Sequence, residues 1–221
     1  MHTNQEEEEE DECAVCNESL PKLKLPTTFA RMTCCGKGTH KICYDNIYKS
    51  SMSNEQKNRC IMCRTKHAVA GSKEKINQIR RWVEKGKAWA QCALGQKYDL
   101  GEGVEQSCQR AAALFELAAS QGNAIAQFNL GNMCREGRGV DQSYERAVEY
   151  YEAAAKQGHA VAQCNLGLFY VSGLGAEQSN ENAREWWMKA AEQGNEDAIG
   201  NLQILDKQEG RTTPSFTPPK R

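Results

Sequence analysis

Residues 122–157 read GNAIAQFNLGNMCREGRGVDQSYERAVEYYEAAAKQ, and the same 36-residue pattern stands immediately before and after them. Its anchors are the pairs Leu94-Gly95, Leu130-Gly131 and Leu166-Gly167. Around them recur Gly86, Gly122 and Gly158, then Ala88, Ala124 and Ala160, then Gln91, Gln127 and Gln163. Glycines return at Gly101, Gly137 and Gly173 and again at Gly103, Gly139 and Gly175, and the double alanines Ala118-Ala119, Ala154-Ala155 and Ala190-Ala191 complete the unit. Agreement at so many positions through three copies, residues 86–121, 122–157 and 158–193, identifies a repeat array.

Each copy predicts two helices. In the first copy one runs from Ala88 to Tyr98 and is broken by the G-x-G at Gly101. Ser107, and Ser143 and Ser179 at the same phase, fit N-caps of the second helix, which stops before the C-cap-type Gly122. Small residues such as Ala90 and Ala126 allow close helix packing, and Phe115, Tyr151 and Trp187 are expected to fill the groove between repeats. One helix pair cannot bury its apolar face alone, so stacking must supply the core. Outward from the copies, the segment with Ile76, Ile79, Trp82 and Val83 has the phase of a preceding second helix, and Glu196–Asp206 that of a fourth first helix. These are the two caps a solenoid needs, and together they bound the array at residues 73–206.

The pattern A-x-A-Q-x-x-L-G-x-x-Y, then G-x-G-V, then A-x-x-x-x-x-x-A-A-x-Q-G resembles the Sel1-like repeat, a relative of the tetratricopeptide repeat. The copies depart from it at Cys134, which stands where the others have Tyr98 and Tyr170, and at Ala176, in place of Val104 and Val140. The resemblance implies an all-α Sel1-like repeat solenoid that binds a protein substrate or partner on a concave face lined by the first helices. Gln96, Lys97, Asn132, Met133 and Arg135 are candidates for that face. Cys92, Cys108, Cys134 and Cys164 lie in the repeats without a C-x2-C partner and read as small core residues, Cys92 and Cys164 sharing a phase with Phe128.

A second constellation precedes the array. Cys13, Cys16, Cys34, Cys35, His40, Cys43, Cys60 and Cys63 fall within 51 residues and supply eight donors, the number two tetrahedral zinc sites require. Two C-x2-C turns bracket C-C-x4-H-x2-C. Each such turn sets two sulfurs at adjacent corners of a tetrahedron, about 2.3 Å from the metal. The start of the chain has no basic, apolar leader, so a reducing compartment, cytoplasmic or nuclear, is expected, where such cysteines are metal ligands.

This cluster resembles the RING finger, a small zinc cross-brace with two Zn2+, here over residues 13–66. The resemblance implies one site of Cys13, Cys16, His40 and Cys43 and another of Cys34, Cys35, Cys60 and Cys63. Lys37 occupies the usual histidine place, and Cys34 supplies the donor instead. Family members bind a ubiquitin-conjugating enzyme, and the matching contact positions hold Val15, Ile47, Ile61 and Arg64. The family's tryptophan and proline are replaced by Ile47 and Ile61. The implied function is a RING-type ubiquitin ligase, an adaptor without a covalent intermediate, whose solenoid recruits the substrate. Two alternatives stand beside it. One is a non-enzymatic scaffold with a structural zinc finger. The other is a histone-tail reader similar to a PHD finger, although that family's tryptophan is here Asn58.

Composition narrows the rest. A net charge of −1 over 221 residues gives no global attraction to nucleic acid, and no run of about 18 apolar residues provides a membrane span. Residues 1–12, with the acidic run Glu6–Glu12, form a solvated lead. Residues 207–221 form a tail whose RTTPSFTPPKR is rich in proline and polar groups and is expected to stay outside any core. No nucleophile motif, phosphate loop or open metal site supports classical enzyme chemistry.

Overall fold

The 36-residue period becomes an unbroken series of short antiparallel helices whose ends are set by local chemistry. A computed structural model describes residues 29–31, 38–40, 73–214 and 216, and the chain divides into two compact units, Met1–Trp82 and Val83–Arg221. In the first unit, strands β1 (Phe29–Arg31) and β2 (Gly38–His40) pair antiparallel, with Phe29 opposite His40 and Arg31 opposite Gly38. Helix α1 (Lys73–Glu84) follows and spans the division, and its Ile76 and Ile79, three residues apart, are buried.

The second unit is all helical. Its helices are α2 (Ala88–Leu100), α3 (Cys108–Ser120), α4 (Ala124–Glu136), α5 (Tyr144–Lys156), α6 (Ala160–Ser172), α7 (Asn180–Glu192) and α8 (Glu196–Glu209). Each packs on the next in the chain, the arrangement of a repeat solenoid. The serines cap as expected. The hydroxyls of Ser107, Ser143 and Ser179 accept from the N–H groups of Arg110, Arg146 and Asn182 at 3.3, 3.1 and 3.2 Å. Asn123 and Asn195 cap α4 and α8 in the same way, each at 2.9 Å.

The Leu-Gly anchors explain the inter-helix seam. Leu94, Leu130 and Leu166 are buried, and the glycine after each leaves room for an aromatic ring of the second helix. A Cβ at Gly95, Gly131 or Gly167 would stand 2.8 Å from Phe115, 2.8 Å from Tyr151 or 2.3 Å from Trp187. These aromatics fill the groove between repeats as expected, Phe115, Tyr151 and Trp187 sharing core clusters with Leu130, Leu166 and Leu202 of the next first helix, and each ring also lies on the glycine of its own repeat. Tyr151 then reaches the following repeat, its ring 5.4 Å from that of Phe169 and nearly perpendicular to it.

Buried glutamines tie the ends of each repeat together. The Nε2 groups of Gln121, Gln157 and Gln193 donate to the Oε1 atoms of Gln91, Gln127 and Gln163 at 2.7, 2.7 and 2.8 Å. Gln127 and Gln163 in turn donate to the carbonyls of Ala119 and Ala155 in the preceding repeat, at 3.3 and 3.0 Å. These bonds satisfy polar groups that burial would otherwise leave costly.

His159 caps α6, accepting at Nδ1 from the Ala162 N–H at 3.1 Å and stacking on Phe128 at 4.5 Å. Burial holds its imidazole below the usual histidine range. The cap requires the neutral ring, so its contribution is complete above the unfolded value of about 6.5 and is lost as pH falls through the lower folded value. Lowering pH from neutral toward 5 is thus expected to reduce the melting temperature of the native chain more than that of His159→Asn, whose cap does not titrate. Equal losses in the two proteins, measured by circular dichroism, would refute this role.

The array ends abruptly. In α8 the position equivalent to Gly95, Gly131 and Gly167 is Gln203, which is exposed. The helix runs to Glu209, beyond the Asp206 limit read from the sequence, and Phe216 of the tail packs against the terminal core of Trp187, Leu202 and Leu205.

Candidate functional site

The helical period directs one side of each first helix inward, with Ala90, Ala126, Ala162 and Ala198 fully buried at one phase, and the opposite side outward. The outward side carries equivalent positions on the four first helices α2, α4, α6 and α8. One row is Trp89, Ile125, Val161 and Asp197, and another is Gln96, Asn132, Leu168 and Ile204. Val161, Leu168 and Ile204 are 46%, 43% and 60% exposed, whereas Trp89 and Ile125 are half-buried and Asp197 is exposed.

Between those rows lie Ala93, Asn129, Asn165 and Asn201, all half-buried. The Tyr151 hydroxyl donates to Asn132 Oδ1 at 2.6 Å, and Asn201 Nδ2 reaches the Cys164 sulfur at 3.9 Å. Burial pushes the Tyr151 phenol up to about 12, so it remains a neutral donor.

The five residues anticipated for this face separate. Gln96 is exposed and Asn132 half-exposed. Lys97 pairs with Glu102, and Arg135 with Glu136, so both cations are engaged at the loop edge. Met133 is a correction: it is 1% exposed and belongs to the core, because its phase is that of buried Phe169 rather than of Leu168. A further ion pair missed from sequence, Arg138 with Asp99 at 2.8 Å, bridges consecutive repeats. The signal was available only as opposite charges 39 residues apart, a spacing that no local motif marks.

The repeat cysteines behave as core. Cys92, Cys134 and Cys164 are buried, and burial pushes the Cys92 and Cys164 thiols up to about 12 and about 11. Thiols so disfavoured as thiolates are poor nucleophiles and poor metal ligands. Cys108 is half-exposed at the start of α3.

Of the zinc-ligand candidates, Cys13, Cys16, Cys34, Cys35, Cys43, Cys60 and Cys63 lie outside the described residues, as do Val15, Ile47, Ile61 and Arg64. His40 ends β2, paired through its backbone. Among the described residues, no group of three or more His, Cys, Asp or Glu side chains is placed to hold a metal, and no helix is long and apolar enough to cross a membrane.

Against this geometry, the family model for the Sel1 repeat matches residues 90–123, 124–159 and 160–195. Residues 90–195 are thus similar to three consecutive Sel1 repeats. Solved structures agree. A Sel1 repeat protein from Oxalobacter formigenes is 32% identical, with TM-score 0.60, over 63% of this chain and 56% of its own. A protective antigen present in uropathogenic Escherichia coli strains, displaying an SLR fold, is 31% identical, with TM-score 0.58, over 62% of this chain and 30% of its own. The chain thus spans little more than half of the first of these proteins and less than a third of the second. A comparison with curated proteins gave no match. The Leu-Gly anchors, the glutamine pairs and the capping serines recur together because they are the contacts of one unit, repeated.

Proposed function

We propose that the chain is a protein-interaction scaffold whose Sel1 array holds a protein partner on the outward side of its first helices. The observation that carries this reading is the exposure of Leu168 and Ile204 at equivalent positions of consecutive first helices, with exposed Val161 on the same helix as Leu168. Single exposed apolar residues need no explanation, but an aligned set on a surface built by stacking is the composition of a partner face. The test is affinity capture with the full chain and with Val161→Asp/Leu168→Asp. Both positions are exposed, so thermal stability should change by no more than about 0.5 kcal/mol. Partners retained equally by the two proteins would move the binding face elsewhere.

A second reading, the RING-type ubiquitin ligase, is favoured by the donor set before the array. Seven cysteines and His40 match the number and softness of ligands for two structural Zn2+, and Arg64 directly follows Cys63. The zinc would supply folding energy and no reaction chemistry, because four protein ligands close each site. Val15, Ile47 and Ile61 would offer an apolar patch to a ubiquitin-conjugating enzyme, and the Arg64 guanidinium would bridge that enzyme and its ubiquitin through several donors. Joining such a module to the array raises the effective concentration of a bound partner at the transfer site. Metal analysis should find two zincs per chain, and discharge of a ubiquitin-charged conjugating enzyme should fall with Arg64→Ala. Discharge by the intact protein no faster than by buffer leaves the scaffold reading alone. A chelator should leave the helical signal of the array intact, since residues 83–221 form a compact unit of their own.

A further inference from the structure

We propose that Thr213 is a phosphorylation site whose modification releases the C-terminal tail from the end of the repeat array. Among the described residues no second helix follows α8, and Leu202 and Leu205 are nonetheless 0% and 4% exposed. The tail contributes to that cover. Gly210 turns the chain in the left-handed conformation at φ 68°, the Arg211 N–H donates to the Asp206 carbonyl at 2.8 Å, and Phe216 packs against the terminal core.

Thr213 lies between these two attachments. It is half-buried, and its side chain faces the carboxylate of Asp206, which is 1% exposed. Arg184 binds both Asp206 and Glu209, Asn180 donates to Glu209 at 2.9 Å, and Arg211 approaches Glu209 at 3.3 Å. Two carboxylates therefore already share two guanidiniums, and the buried Asp206 Oδ2 and Arg184 Nε have no hydrogen-bond partner. A phosphate adds a charge of about −1.5 to −2 beside a buried carboxylate, and repulsion with desolvation drives the tail off.

Recognition chemistry is present in the same segment. Pro214 directly follows Thr213, the dipeptide read by proline-directed protein kinases, and residues 211–214 form no helix or strand. The kinase would transfer the γ-phosphoryl group of ATP to Thr213 Oγ1. The bond from that phosphorus to the bridging oxygen breaks, the new Oγ1–P bond forms, the hydroxyl proton passes to the kinase's base, and ADP leaves.

The test incubates the full chain with a proline-directed kinase and ATP, locates the phosphate by mass spectrometry, and follows hydrogen exchange in α8. Modification is expected at Thr213, abolished in Thr213→Ala and retained in Thr217→Ala. Exchange at the amides of Leu202–Asp206 should rise about tenfold, toward the rate of unmodified Phe216→Ala. If the kinase does not label Thr213 of the folded chain, whether or not it labels a peptide of residues 207–221, the proposal fails. It fails equally if the labelled chain exchanges at an unchanged or slower rate, the result expected if Arg184 and Arg211 clamp the phosphate.

Discussion

Replacing Gly175 with alanine is expected to destabilise the array by about 2–5 kcal/mol, the sum of a left-handed backbone penalty and an overpacking cost. The glycine has φ +67°, and a Cβ there would lie 2.3 Å from the carbonyl carbon of Tyr144 and 2.4 Å from its oxygen. Tyr144 is the first residue of α5, held by the Ser143 cap, so the obstacle is backbone and cannot swing aside. Gly158→Ala is the matched control: φ is +85° and nothing lies within 4 Å of the added carbon, so only the backbone penalty of about 1–2 kcal/mol applies. Urea unfolding followed by circular dichroism separates the two. A loss at Gly175 no larger than at Gly158 would show that the loop contact between repeats carries no weight.

Tyr151→Ala is expected to cost about 3–5 kcal/mol, the usual toll for truncating a buried aromatic residue. Tyr151 is 0% exposed, lies on Gly131, meets Phe169 at 5.4 Å and Phe128 at 6.0 Å, and donates to Asn132 at 2.6 Å. Its contacts lie in its own copy and the following one, so the cavity weakens the interface between them. In a structure held by nearest-neighbour contacts this should broaden the unfolding transition as well as shift it. Tyr151→Phe keeps the ring and loses one hydrogen bond, about 0.5–1.5 kcal/mol. If both variants lose the same amount, the hydroxyl rather than the ring is the keystone.

Repetition made the array legible in the sequence. Three aligned copies average out the ambiguity of any single segment, so the glycine breaks and the caps at Ser107, Ser143 and Ser179 could be placed from residue type and phase. What stayed hidden was direction around the helix and contact at long range. Met133 and Asn132 are neighbours in sequence, yet one faces the core and the other the surface, and the pattern of one copy does not say which. His159 replaces an asparagine cap with an imidazole, a substitution that residue type alone disguises. The second glycine of each G-x-G read as a helix breaker. At Gly139 and Gly175 it also makes room for the backbone of the preceding repeat, a role that only juxtaposition reveals. The cysteine–histidine cluster offered candidate zinc donors by residue type and spacing, and those residues, other than the backbone of His40, lie outside the described residues.

Gln203 has a bearing on how such an array can grow. The three copies are interchangeable because each offers a glycine to its own aromatic ring, and α8 offers a side chain in that place. A tandem duplication appended after α8 would meet Gln203 where a ring must sit, whereas a copy of residues 122–157 spliced between existing units would find matching surfaces on both sides. Lengthening by internal insertion is therefore open to this protein, and lengthening after α8 first requires a glycine in place of that glutamine.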